Sequence, residues 1–167
     1  FTPYELYLKF LYEYFQNELN KPSELDAFVP AGFKKLKYQE EAVLSAQKVL
    51  EEYGGVFLAD VVGLGKTYMS ALLAQQLEGR CLVIAPPHLL DKLNRGSWPN
   101  VFGDFQVRQT DFESIGKLDD VLERDLSKYV NVFIDESHRL RTETTQTYEK
   151  LAQICRGKRV ILVSATP

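Results

Sequence analysis

The apolar run Val56-Phe57-Leu58-Ala59 gives way after three residues to Gly63-Leu64-Gly65-Lys66-Thr67, and then to a helix-forming stretch. The order strand, glycine loop, helix constrains the fold more than any other feature of the chain. Glycines lack Cβ, so successive backbone N–H groups can turn inward. The helix that follows aims the positive end of its dipole at the same point. Such a loop cradles anions, and closely spaced phosphates suit it best. Lys66 is placed to reach the β- and γ-phosphates of a nucleotide, and the Thr67 hydroxyl to take a place on Mg²⁺. The commoner pattern opens with glycine five residues before Gly65, where this chain carries Asp60.

From Val56 onward apolar runs alternate with helical stretches. The pattern predicts strands at 56–59, 81–85, 130–134 and 160–163, a weak strand near 105–109, and helices at 66–77, 87–94, 115–127 and 143–155. Near-continuous Val/Ile/Leu runs indicate strands covered on both faces, hence an α/β fold with a parallel sheet flanked by helices. Right-handed crossovers bring the C-terminal ends of such strands to one edge. Upstream, Lys37-Tyr38-Gln39 opens a helix that runs to about Tyr53, where Gly54-Gly55 stops it.

Two of the strands end in polar clusters. Val130-Asn131-Val132-Phe133-Ile134 runs into Asp135-Glu136-Ser137-His138. Beside a phosphate loop, that acidic pair suits metal-assisted phosphoryl transfer: Asp135 holds Mg²⁺, and Glu136 orients and deprotonates the attacking water. The plainer alternative is a polar turn with a helix-capping Asp. Val160-Ile161-Leu162-Val163 runs into Ser164-Ala165-Thr166-Pro167, which specifies nothing alone.

In this order the segments resemble the first RecA-like lobe of superfamily-two helicases and translocases, with Asp135-Glu136-Ser137-His138 in place of the DEAH box. The form Asp60-x-x-Gly63-Leu64-Gly65-Lys66-Thr67 is similar to motif I of Swi/Snf-type ATPases, although Val61, Val62 and Thr142 depart from that branch. The resemblance spans Lys37 to Pro167. It implies a P-loop NTPase fold, with the Ser164 strand lying between those that end at the phosphate loop and at Asp135. It also implies site roles. Gln39, after Tyr38, would contact adenine; Gly63, Leu64, Gly65, Lys66 and Thr67 would hold phosphates; Ala85-Pro86-Pro87 would touch the nucleic-acid backbone. Asp135, Glu136 and His138 would form motif II, and Ser164 and Thr166 would link the γ-phosphate state to the tracked strand. The implied cofactors are ATP and Mg²⁺. The implied partners are nucleic acid, with double-stranded DNA expected, and a second RecA-like lobe of the same parent protein.

Three stretches, 2–7, 58–63 and 96–99, look like bacterial helicases linked to restriction systems, in which a phospholipase-D-like nuclease domain often comes first. That resemblance implies a bacterial, cytoplasmic protein. The chain holds no His-x-Lys nuclease motif, its two histidines being His88 and His138. A GTPase reading lacks support, because no Asn-Lys-x-Asp motif occurs. A non-catalytic, nucleotide-gated interaction module is the remaining alternative, and the intact Lys66, Thr67, Asp135 and Glu136 count against it.

With 167 residues and 45% apolar content, the chain can bury roughly two-thirds of its unfolded surface as one domain. Residues 1–36 are expected to form an amphipathic helix over about Tyr4 to Leu19 and an irregular linker, and residues 37–167 the ATP-binding lobe. The net charge of −3 predicts only weak nucleic-acid binding by this lobe alone. Because the sequence stops at motif III, the second lobe is expected to lie outside it. An arginine finger from such a lobe contributes on the order of 10³–10⁵ in rate, so the chain alone is expected to bind ATP weakly and to hydrolyse it very slowly. Cys81 and Cys155 match no metal pattern and read as reduced thiols. Trp98, between Gly96 and Pro99, is expected to pack a loop against the lobe, with nucleic-acid contact as the alternative. Arg139 and Arg141 read equally as phosphate or lobe contacts and as solvated charges.

Overall fold

In the computed structural model the described residues are Thr2, 25–34, 37–59, 65–135 and 145–164. Five strands form one parallel sheet: β1 (Gly55–Ala59), β2 (Arg80–Ala85), β3 (Thr110–Ser114), β4 (Tyr129–Asp135) and β5 (Arg159–Ser164). Their spatial order is β1-β5-β4-β2-β3. The strand that ends at Ser164 therefore lies between those that end at Ala59 and Asp135, as the resemblance implied. The helices are α1 (Lys37–Tyr53), α2 (Lys66–Gln76), α3 (Trp98–Asp104), α4 (Leu118–Leu122) and α5 (Thr145–Cys155).

Side chains alternate across β2, β4 and β5 and fill two separate cores. Val83, Phe133, Ile161 and Val163 pack with Val43 and Leu50 of α1, Leu72 and Leu73 of α2, and Val101 and Phe102 of α3. Leu82, Ile84, Val132 and Ile134 pack with Leu118 and Val121 of α4 and Leu151 and Ile154 of α5. In β2, β4 and β5 the apolar runs are double-faced because alternate residues belong to different cores, whereas in β1 only one face is covered: Val56 and Leu58 pack inward and Phe57 is 43% exposed.

Residues 25–34 contain no helix or strand, in keeping with the linker reading, yet they are fastened to α2. The Gln75 side chain accepts from Phe28 N–H at 3.0 Å and donates to Phe28 O at 2.8 Å. It donates as well to the carbonyl of Phe105, at the C-terminus of α3, at 2.8 Å. Gln76 donates to Asp26 O at 2.9 Å, and Leu25 is buried in the α1/α2 core. The expected helix at 4–19 lies outside the described residues.

Three expected elements differ. The helix expected at 87–94 is a single 3₁₀ turn, Pro87–Leu89, followed by tight turns. Pro86-Pro87 disfavours a helical approach, and local side-chain bonds then capture the backbone: Asp91 accepts from Leu93 N–H, and Asn94 from Gly96 N–H. The weak strand expected near 105–109 is a turn and irregular backbone that follow α3, with Gln106 and Gln109 at positive φ; β3 begins at Thr110. The helix expected at 115–127 is a 3₁₀ turn, the short α4, and a second 3₁₀ turn, Leu126–Lys128, capped by Asp125.

Both cysteines are free thiols, and burial pushes Cys81 up from its ordinary value and Cys155 to about 11. No helix among the described residues is long and apolar enough to cross a membrane.

Gly79, which leads into β2, has φ +92°, and a Cβ there would lie 2.5 Å from Cγ2 and 2.7 Å from Cβ of Val130. Rotating Val130 cannot relieve the second contact. Gly79→Ala is expected to destabilise the chain by roughly 2–3 kcal/mol. The check is a lower urea midpoint at unchanged slope.

Candidate functional site

Gly65 immediately precedes α2 with φ +112°, a left-handed conformation that favours glycine. A Cβ at Gly65 would meet Gln39 Nε2 at 3.1 Å. Gln39 thus packs against Gly65, only 5% exposed. Lys66 and Thr67 open α2, and Ser70 Oγ donates to the carbonyl of Lys66 at 2.7 Å, fixing the first turn.

Asp135 ends β4 at the same edge of the sheet, two strands from β1. Its carboxylate is 1% exposed. Lys66 Nζ lies 3.0 Å from Oδ1, so 69 positions of sequence separation close into a part-buried ion pair. Oδ2 accepts from the indole Nε1–H of Trp98 at 2.7 Å. Ser164, fully buried, ends the intervening strand β5, where it pairs with Ala59 while Val163 pairs with Asp135. Parallel register therefore brings Lys66, Asp135 and Ser164 to one edge, with Gln39 beneath.

Other predicted site positions are not placed. Gly63, Leu64, Glu136, His138 and Thr166 lie outside the described residues, as do Arg139 and Arg141. The backbone of Tyr38 opens α1, but its side chain is outside the description. Trp98 is packed, as expected, but on a helix instead of a loop: it is the first residue of α3, fully buried. Its bond to Asp135 was not anticipated. The available signal was Ser97 followed two residues later by Pro99, a helix-start pattern. It would have given the helix, not the contact.

A cavity of about 870 Å³ lies by β3 among Phe102, Asp111, Arg124 and Lys128 and contains none of the residues at the Lys66–Asp135 edge. The buried cation–carboxylate pair marks the candidate site. Thr67 and Asp135 offer the hard oxygen donors that Mg²⁺ prefers. Gly65 leaves the close backbone approach that a phosphate needs. The residues present fit a Mg²⁺-nucleotide.

The family profile ResIII, type III restriction enzyme res subunit, matches residues 32–167. The chain belongs to the ResIII family. The ResIII lobe is a RecA-like lobe of the superfamily-two helicase type, and its family uses nucleotide and divalent metal. Two solved structures share the fold. The UvsW helicase from bacteriophage T4 aligns over 90% of this chain and 58% of its own, with TM-score 0.59 and 16% identity. The Sulfolobus solfataricus SWI2/SNF2 ATPase core in complex with dsDNA aligns over 87% of this chain and 35% of its own, with TM-score 0.64 and 18% identity. The ResIII lobe thus spans between about a third and three-fifths of these neighbours. No curated protein sequence matches the chain.

Proposed function

We propose that this chain is the ATP-binding lobe of a helicase or translocase that hydrolyses ATP to move along nucleic acid, with double-stranded DNA as the partner. The observation that carries the reading is the Lys66–Asp135 pair, held at the head of a parallel sheet beside Gly65 and Ser164.

The roles in this reading follow from the motifs. Gly65 lets the loop approach the phosphates, and Lys66 exchanges Asp135 for the β/γ-phosphate oxygens. Thr67 and Asp135 would hold Mg²⁺, which when bound neutralises phosphate charge. Glu136, next after Asp135, orients and deprotonates the attacking water. Gln39, with Tyr38, reads adenine from beneath the loop. His138, Ser164 and Thr166 pass the phosphate state towards the nucleic-acid contacts at Ala85-Pro86-Pro87. A second RecA-like lobe, supplied by the parent protein, completes the site across a cleft and contributes the arginine finger. The dsDNA bound to the SWI2/SNF2 neighbour supports duplex as the track.

Calorimetric titration of the chain with Mg·ATP and Mg·GTP tests this, with Lys66→Ala as control. ATP binding that exceeds GTP binding and vanishes in the control is the expected result. Failure to bind at millimolar nucleotide would favour the interaction-module reading instead.

A further inference from the structure

The two oxygens of Asp135 are held by unlike partners. Oδ1 meets the ammonium of Lys66, whose side chain is 17% exposed and sits on a flexible four-carbon stem. Oδ2 meets an indole that has no such freedom. The Trp98 ring is fully buried, with Phe102 and Phe133 at centroid distances of 5.5 Å and 6.2 Å. One contact can exchange while the other stays.

An indole N–H only donates, so a buried tryptophan needs an acceptor within reach. A neutral backbone carbonyl would satisfy that need. Here the acceptor is a buried carboxylate on another element, 37 residues away. The carboxylate's own terminal torsion is broad and two-fold. A fixed donor on one oxygen therefore sets the plane of the group and the direction of the other oxygen. This is how outer-shell hydrogen bonds aim metal-binding carboxylates in general.

We propose that Trp98 is a positioning residue for the nucleotide site: its indole N–H anchors Oδ2 of Asp135, so that Oδ1 is the oxygen presented to Lys66 and to the divalent cation that accompanies the nucleotide. The proposal rests on the nucleotide-site reading above. It also gives α3 a task. Trp98 is the first residue of that helix and directly follows the turns at 90–97, which Asn100 braces by donating to the carbonyls of Lys92 and Asn94. The segment that begins at Pro86-Pro87 is thereby joined to Asp135 through one side chain.

The test separates the donor from the packing. Trp98→Phe keeps an aromatic ring but removes the N–H. Trp98 is the chain's only tryptophan, so uniform replacement by benzothienylalanine removes the N–H and keeps the bicyclic shape even if the Phe variant fails to fold. Calorimetry then compares affinity for Mg·ATP with affinity for ATP in excess chelator. In both altered chains the advantage that Mg²⁺ confers is expected to fall by about 10–100-fold, as for lost outer-shell partners of metal ligands. Metal-free ATP affinity is expected to stay unchanged, while the melting temperature of the benzothienylalanine chain falls by a few degrees because the charge-assisted bond is lost. An undiminished Mg²⁺ advantage in that chain overturns the inference and leaves the proposed function standing. Equal loss of both affinities also overturns it, because that outcome reports packing alone. If the unaltered chain binds no ATP, the proposed function falls and this inference with it.

Discussion

Glu136→Gln, made in the two-lobed parent protein, is expected to leave Mg·ATP binding within about twofold of the unaltered protein and to cut hydrolysis by roughly 10²–10⁴-fold, the range for loss of a positioned general base. The amide is nearly isosteric with the carboxylate and still accepts a hydrogen bond, so it can orient a water without taking its proton. Binding is carried by other groups: Lys66, Thr67, the loop backbone and Asp135. Single-turnover release of labelled phosphate, paired with calorimetry, separates the two quantities. A parallel loss of affinity and rate would move Glu136 from chemistry to structure.

Lys66→Ala is expected to have two consequences. Mg·ATP binding falls below detection, because the charge-assisted bonds to the phosphates are lost. The fold also weakens by about 3 kcal/mol, the lower end of the cost of stripping one partner from a buried ion pair. The lower end applies because Trp98 still donates to Asp135 and the Lys66 side chain is partly exposed. Adding Asp135→Asn should restore most of that stability, since a neutral amide needs no counter-charge, while nucleotide binding stays lost. The double-mutant cycle in urea reads the coupling between the two positions directly. Stability losses that simply add would deny that the pair is energetically linked.

The parts of the fold legible in the sequence are those where burial is two-sided. β2, β4 and β5 carry apolar residues at nearly every position because both faces meet a core, and their bounds came within a residue or so of the pattern. β3 escaped for the opposite reason. It is an edge strand whose Asp111 and Glu113 read as loop residues, and only tertiary partners make them tolerable there. Arg124 pairs with Glu113 at 2.6 Å, while Tyr129, Lys128 and Arg80 surround Asp111. The Tyr129 hydroxyl, aided by those cations, holds the Asp111 carboxyl below its usual range. Periodicity sees none of this, and it placed the strand on Phe105 and Val107 instead. In the site, the meeting of Lys66 and Asp135 was legible because parallel strands present their C-terminal ends together. The contact of Gln39 with the loop was not readable from spacing, since it depends on how α1 lies against α2. Trp98 looked like filler because an indole's apolar body explains its burial without its N–H.

Gln75 and Trp98 together give α2 and α3 a property that neither helix has alone. At one end Lys66 and Trp98 meet on the same carboxylate, and at the other the Gln75 amide joins α2 to the last carbonyl of α3. The pair is a four-bar frame, pinned at both corners, with Asp135 as one pin. Were Lys66 to leave Asp135 for a phosphate, as the proposed function has it, one arm of that frame would be released while the Gln75 corner held. α3 would stay tied to the carboxylate but no longer to α2 through it. The tie between the two helices would then rest on Gln75 and the shared core, with α3 still held at both ends.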